Sequence, residues 1–86
     1  MKLKKEFIVH NNGEQQIMVS TDKKVFSGLV KNNETAAFLV NLLENDISFE
    51  EIITAMKKEY DVTEDVLRRD VEKGLEILKR IGAIEE

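Results

Sequence analysis

The feature that most constrains this chain is a change of hydrophobic rhythm at Asn33. Before it, apolar residues come in short runs, Phe7-Ile8-Val9, Ile17-Met18-Val19 and Val25-Phe26 with Leu29-Val30, separated by polar clusters. After it, they recur at three- and four-residue spacing as far as Ile81. Short runs of β-branched and aromatic residues between turn formers read as strands, and the later spacing reads as amphipathic helix. Strands followed by helices predict an α+β architecture, a small sheet with helices laid against it. A chain of 86 residues supports one such core, so the reading is a single domain over residues 1–86.

The strand region has a definite order. Asn12-Gly13 suits the two positive-φ positions of a type I′ turn, so Phe7-Ile8-Val9 and Ile17-Met18-Val19 become an antiparallel hairpin. The polar cluster Ser20-Thr21-Asp22-Lys23-Lys24 turns the chain again, and a third strand, Val25 to Lys31, returns beside the second. This is a three-stranded antiparallel meander, whose first and third strands are edges with unpaired backbone groups. Gly28 in the middle of the third strand either relieves crowding or admits another backbone at close range.

Three helices follow. Asn33 is a good N-cap with Glu34 just inside, and Ala36, Ala37, Phe38, Leu39, Val40, Leu42 and Leu43 nearly encircle the first helix, predicting the most buried of the three. Ser48 with Glu51 matches a capping box and opens a second helix with an apolar stripe of Phe49, Ile52, Ile53, Met56 and Tyr60. Thr63 with Glu64 and Asp65 opens a third, which runs to Ile81 and ends at Gly82. On that helix Val66, Leu67, Val71, Gly74, Leu75, Ile77, Leu78 and Ile81 fill roughly 180° of arc, wider than the ~100° that one core contact needs. The surplus is available to the sheet, the C-terminal Ala83-Ile84, a second protomer or a bound peptide. Asp70 lies inside the arc and is expected to tie the helix to a neighbouring backbone amide.

Several function classes fall away on composition. No cysteine is present, which excludes disulfides and thiolate metal sites, and His10 beside the hairpin turn is the only histidine. The acidic pairs Glu50-Glu51 and Glu64-Asp65 sit at helix starts, where they suit the dipole, and the four glycines form no phosphate loop. No catalytic constellation and no cofactor site is expected, so the chain reads as a binding protein rather than an enzyme. No apolar run resembles a signal sequence or a membrane span, which points to the cytoplasm. A net charge of −4 and a pI near 5.1 oppose nucleic-acid binding. Three strands and three helices are winged-helix-like, and many such modules bind DNA. Yet the third helix mixes Arg68, Arg69, Lys73, Lys79 and Arg80 with Asp65, Asp70, Glu72 and Glu76. A small DNA-binding regulator therefore stands as an alternative, as does a homodimer or scaffold subunit that pairs with itself through its open edge.

Four segments in order carry a family resemblance. Asn33-Glu34-Thr35-Ala36-Ala37-Phe38-Leu39 resembles the "L-N-E-T-A" strand-to-helix junction of PqqD-like proteins. Ser48-Phe49-Glu50-Glu51-Ile52 and Glu59-Tyr60-Asp61-Val62 are similar to their "T-V-E-E-L" and "E-Y-D-V" segments, and Asp70-Val71, Leu78 and Ile81-Gly82-Ala83-Ile84 to their "D-V … L … G-L-L" ending. Asn32 and Val40 depart from the leucine and tryptophan frequent at those places. The resemblance implies a peptide chaperone, a recognition element that binds the leader segment of a ribosomally made precursor peptide and presents it to a modifying enzyme, typically a radical SAM enzyme. It further implies that the leader adds as a strand to the third-strand edge, beside the third helix. On this chain the expected docking edge is Val25, Phe26, Ser27, Gly28, Leu29 and Val30, with Leu67, Val71, Leu75 and Leu78 lining or supporting the cleft. Arg68, with Arg69 and Lys73, is placed to meet acidic leader residues.

Overall fold

The computed structural model describes residues 1–13, 15–24 and 26–85. In chain order the elements are strands β1 (Lys2–Leu3), β2 (Phe7–Asn12), β3 (Gln15–Ser20) and β4 (Leu29–Asn32), helices α1 (Glu34–Leu42), α2 (Phe49–Glu59) and α3 (Glu64–Arg80), and a last strand β5 (Ile84–Glu85). The expected α+β order of a meander and three helices is what the chain forms: β2, β3 and β4 make an antiparallel sheet in that order. A second ladder, β1 with β5, pairs Leu3 with Ile84 and ties the two ends of the described chain together. Two-residue strands have no periodicity to read, so this ladder had no signal in the sequence.

Inward and outward residues alternate along the sheet. Phe7, Val9, Met18 and Val30 face the helices and join Leu39, Val40, Leu43, Ile52, Ile53 and Met56 in one core, closed by Leu67, Val71, Leu75 and Leu78 of α3 and by Ala83 and Ile84. Burying a side chain of this size stabilises a fold by about 1.5–3 kcal/mol, so this cluster is what holds three helices on a sheet of only three strands.

Helix ends follow the local chemistry. Asn33 Oδ1 accepts the Ala36 N–H at 2.8 Å, and Ser48 with Glu51 forms the complete capping box. Gly82, at φ 77°, ends α3: its N–H donates to Lys79 O, and the Ala83 N–H donates to Leu78 O at 2.8 Å, the pattern of a Schellman cap. Thr63 holds the N-cap position of α3 with an extended backbone, but its side chain makes no capping hydrogen bond.

Three expectations need correction. The third strand is shorter and later than Val25 to Lys31. Phe26, Ser27 and Gly28 lie in the preceding bend, and Val25 is outside the described residues. Gly28 has φ 129°, a backbone that favours glycine, so it shapes that bend and is not a mid-strand residue. In the hairpin Asn12 is the last strand residue, paired with Gln15, and Gly13 at φ 61° begins the loop, one residue later than the turn signal placed it. Helix α1 is the most enclosed of the three for its length, as its apolar ring predicts: Leu39 and Val40 are buried, Ala36, Ala37, Phe38 and Leu42 are half-buried, and Leu43 at its C-cap is fully buried, whereas most residues of α3 are exposed.

Candidate functional site

The β4 strand is an edge. Leu29, Val30, Lys31 and Asn32 pair on one side with Val19, Met18, Ile17 and Gln16, and among the described residues no strand lies on the other side. In an antiparallel ladder the groups that do not bond the neighbour point to the free edge, so β4 carries unspent donors and acceptors along its outer side. Its side chains are divided by the pleat: Val30 packs on the core, and Leu29 is 53% exposed.

An open groove of about 380 Å³ begins where this strand ends. Asn33, Thr35, Ala36 and Leu39 of the capped first helix form one side, and Asp70, Lys73, Gly74 and Ile77 of α3 form the other, with Met56 at its base. The two helices come close because Gly74 has no side chain: a Cβ there would lie 2.9 Å from Leu39 Cδ2. Ile77 is 56% exposed and Val66 40%, so the surplus apolar arc of α3 exists and is carried by these two residues.

The sequence-derived site residues divide. Leu29 and Val30 belong to the edge strand. Phe26 instead turns inward, its ring centroid 6.2 Å from that of Phe7, while Ser27 and Gly28 are exposed in the bend. Leu67, Val71, Leu75 and Leu78 are all buried core residues, so they support α3 from behind and do not line the groove. The groove is lined by the next positions round the helix, and the expected set misses them because helical spacing alone cannot say which part of a wide arc meets the core.

Arg68 faces away from this groove. Its guanidinium donates to both Glu50 carboxylate oxygens at 2.8 and 2.7 Å and to Glu64 at 3.1 Å, and it lies 5.8 Å from the centre of the Phe49 ring. Its bonds to both carboxylates push its own ionisation further up, and the same bonds, with Lys57 on Glu64, hold Glu50 and Glu64 below the usual carboxylate range. Arg68 therefore fastens α2 to α3 and is not open to an acidic peptide in this arrangement. Asp70 also differs from expectation. It makes no hydrogen bond to a backbone amide among the described residues, and it stands exposed at the groove with Lys73.

A second cavity, of about 530 Å³, lies at the hairpin end of the sheet, shares Asn33 with the groove and has many amides in its lining, including Asn11, Gln16, Asn32 and Asn41. Gln16, only 2% exposed, is the hub: its Nε2 donates to Asn11 and Asn41 at 3.1 and 3.0 Å, and Asn32 Nδ2 donates to its Oε1. One amide thus joins β2, β3, β4 and α1, which fixes the edge strand against the helix that forms the groove. The chain's acidic and His residues form no cluster able to hold a metal among the described residues, and no described helix is long and apolar enough to cross a membrane.

Comparison with known proteins agrees with this architecture. The sequence model of the family described as Coenzyme PQQ synthesis protein D (PqqD) matches residues 15–84. No curated protein sequence gives a significant match. Among solved structures, TbiB1 in complex with the TbiA(beta) leader peptide superposes with a TM-score of 0.87 at 20% identity, covering 99% of this chain and 95% of that one. A lasso peptide synthetase B1 complexed with the leader peptide superposes with a TM-score of 0.81 at 21% identity, covering 99% and 96%.

Proposed function

The chain belongs to the PqqD family, and from that premise we propose that it binds the leader segment of a ribosomally synthesised precursor peptide by strand addition and presents the peptide to a modifying enzyme. The observation that carries the proposal is the unpaired β4 edge continuing into the groove between α1 and α3. An extended peptide beside Leu29–Asn32 gains backbone hydrogen bonds that are indifferent to sequence. Alternate side chains of the same peptide then reach the groove, where Ile77 and Leu39 offer apolar contact and Asp70 and Lys73 offer one charge of each sign. Backbone pairing supplies affinity and the groove supplies selection. The two structural relatives, both solved with leader peptides, support the reading.

Within this reading the docking residues are Leu29, Val30, Lys31 and Asn32 with Asp70, Lys73, Gly74 and Ile77, backed by Leu67, Val71, Leu75 and Leu78. The role is that of a carrier working in the cytoplasm, without chemistry of its own, and a radical SAM enzyme is the proposed recipient. Backbone-labelled NMR of the full chain, titrated with a candidate leader peptide, tests it. The expected shifts fall on 29–32 and 70–77. Shifts confined to the β2–β3 hairpin, or no shifts at all, overturn the proposal.

A further inference from the structure

The three-stranded sheet has a second face, turned away from the helices. Across it Ile8, Val19 and Leu29 stand in one row, and His10, Ile17 and Lys31 in the next. Ile8 is 51% and Leu29 53% exposed, and neither Ile17 nor Val19 is among the side chains packed on the core. Four apolar side chains therefore lie together on an open sheet face. Lysines outnumber acidic residues beside them: Lys31 stands in the second row, Lys23 and Lys24 follow Asp22 in the turn after β3, and Lys5 and Glu6 come just before β2. The ammonium groups of these lysines make no ion pair among the described residues. The charge of the whole chain is divided in the same way. Residues 1–31 carry six lysines against three acidic residues, and residues 32–86 carry seven basic against fourteen acidic.

We propose that this outer sheet face, extended by the bound leader strand, is the docking surface for the modifying enzyme, which meets it with an apolar centre and an acidic rim. The inference rests on leader binding at β4 as described above. A strand added at β4 lengthens the Ile8–Val19–Leu29 row by one position, because its outward side chains continue the same pleat. The surface the enzyme meets is thus partly carrier and partly leader.

Area and charge select this occupant over a second copy of the chain. Three strands about 4.8 Å apart and four residues long make a face of roughly 200 Å², a fraction of the ~800 Å² per partner that a stable interface needs. Two copies face to face would also bring lysine against lysine. An enzyme that already holds the modifiable part of the same peptide is tethered, so a small face suffices to orient it. Unpaired lysines favour a carboxylate-rimmed partner and speed its encounter.

The test uses the chain, a candidate precursor peptide and a peptide-modifying enzyme that acts on it. Leader affinity is measured first without enzyme, then enzyme affinity for the loaded chain, for wild type, Ile8→Gln and the Lys23→Glu/Lys24→Glu double variant. All three substitutions are at exposed positions, and Ile8 is on the strand farthest from the leader. The expected result is unchanged leader affinity with enzyme affinity about tenfold weaker in both variants, and wild-type docking that weakens as salt rises. Equal enzyme affinities with leader binding intact overturn this inference alone. A wild-type chain that fails to bind leader overturns the function proposed above. An unloaded dimer abolished by Ile8→Gln overturns the inference in favour of self-pairing.

Discussion

Gly74 and Gln16 carry much of the site between them. At Gly74 the missing side chain is what lets α3 approach α1, and Leu39, 4% exposed, has little room to retreat. Gly74→Val adds a β-branched side chain where a first carbon would already lie 2.9 Å from Leu39 Cδ2. Overpacking of this kind costs about 1–3 kcal/mol. The expected outcome is a lower urea midpoint together with at least tenfold weaker leader binding by calorimetry. Gln16 gives the complementary case. Gln16→Leu keeps the volume but leaves Asn11, Asn32 and Asn41 without their shared partner, at about 1–3 kcal/mol. Because Asn32 ends β4, the loss is expected to show in faster amide exchange along 29–32 as well as in the melting temperature.

At the scale of elements, α2 and α3 are joined by the core stripe and by the Arg68 fork on Glu50 and Glu64. Both carboxylates are held below their ordinary value of 4.5, first by hydrogen bonds, from Arg68 to Glu50 and from Lys57 and Arg68 to Glu64. A carboxylate whose folded pKa is depressed contributes stability that is fully present above its unfolded value. That stability is lost as pH falls through the folded one. The melting temperature should therefore fall as pH drops below about 4.5, and Arg68→Ala should flatten that part of the profile. The pair is exposed to solvent, so the effect is modest and shrinks with added salt. Arg68→Ala is also expected to leave leader affinity unchanged, since Arg68 lies on the α2 side of α3. Sequence spacing puts Arg68 near the start of α3 but does not say which neighbour it faces; the reach of Glu50 from another helix does.

Among the described residues the three-stranded sheet has two edges, β2 and β4, and the groove adjoins the β4 edge. The Cα radius of gyration of the whole molecule is 12.6 Å, close to the ~12 Å of a compact chain this long. Leader binding is expected to leave the helices in place. A leader with alternate backbone nitrogens methylated should lose at least tenfold in affinity only in the register that removes donors facing β4, the mark of a peptide held by its backbone. The alternation of Phe7-Ile8-Val9, the Asn33 cap, the Ser48–Glu51 capping box and the Gly82 stop are chemistry between residues close in the chain. They made the meander, the three helices and the membership of an α+β class legible in the amino-acid order. The β1–β5 ladder, the inward turn of Phe26 and the start of β4 at Leu29 depend on partners far along the chain. So does the division of α3 between core and groove. Leu67, Val71, Leu75 and Leu78 look the same in the helical pattern as Ile77, and it is the packing of α2, α1 and the C-terminal segment on one side of α3 that buries the first set and leaves Ile77 open.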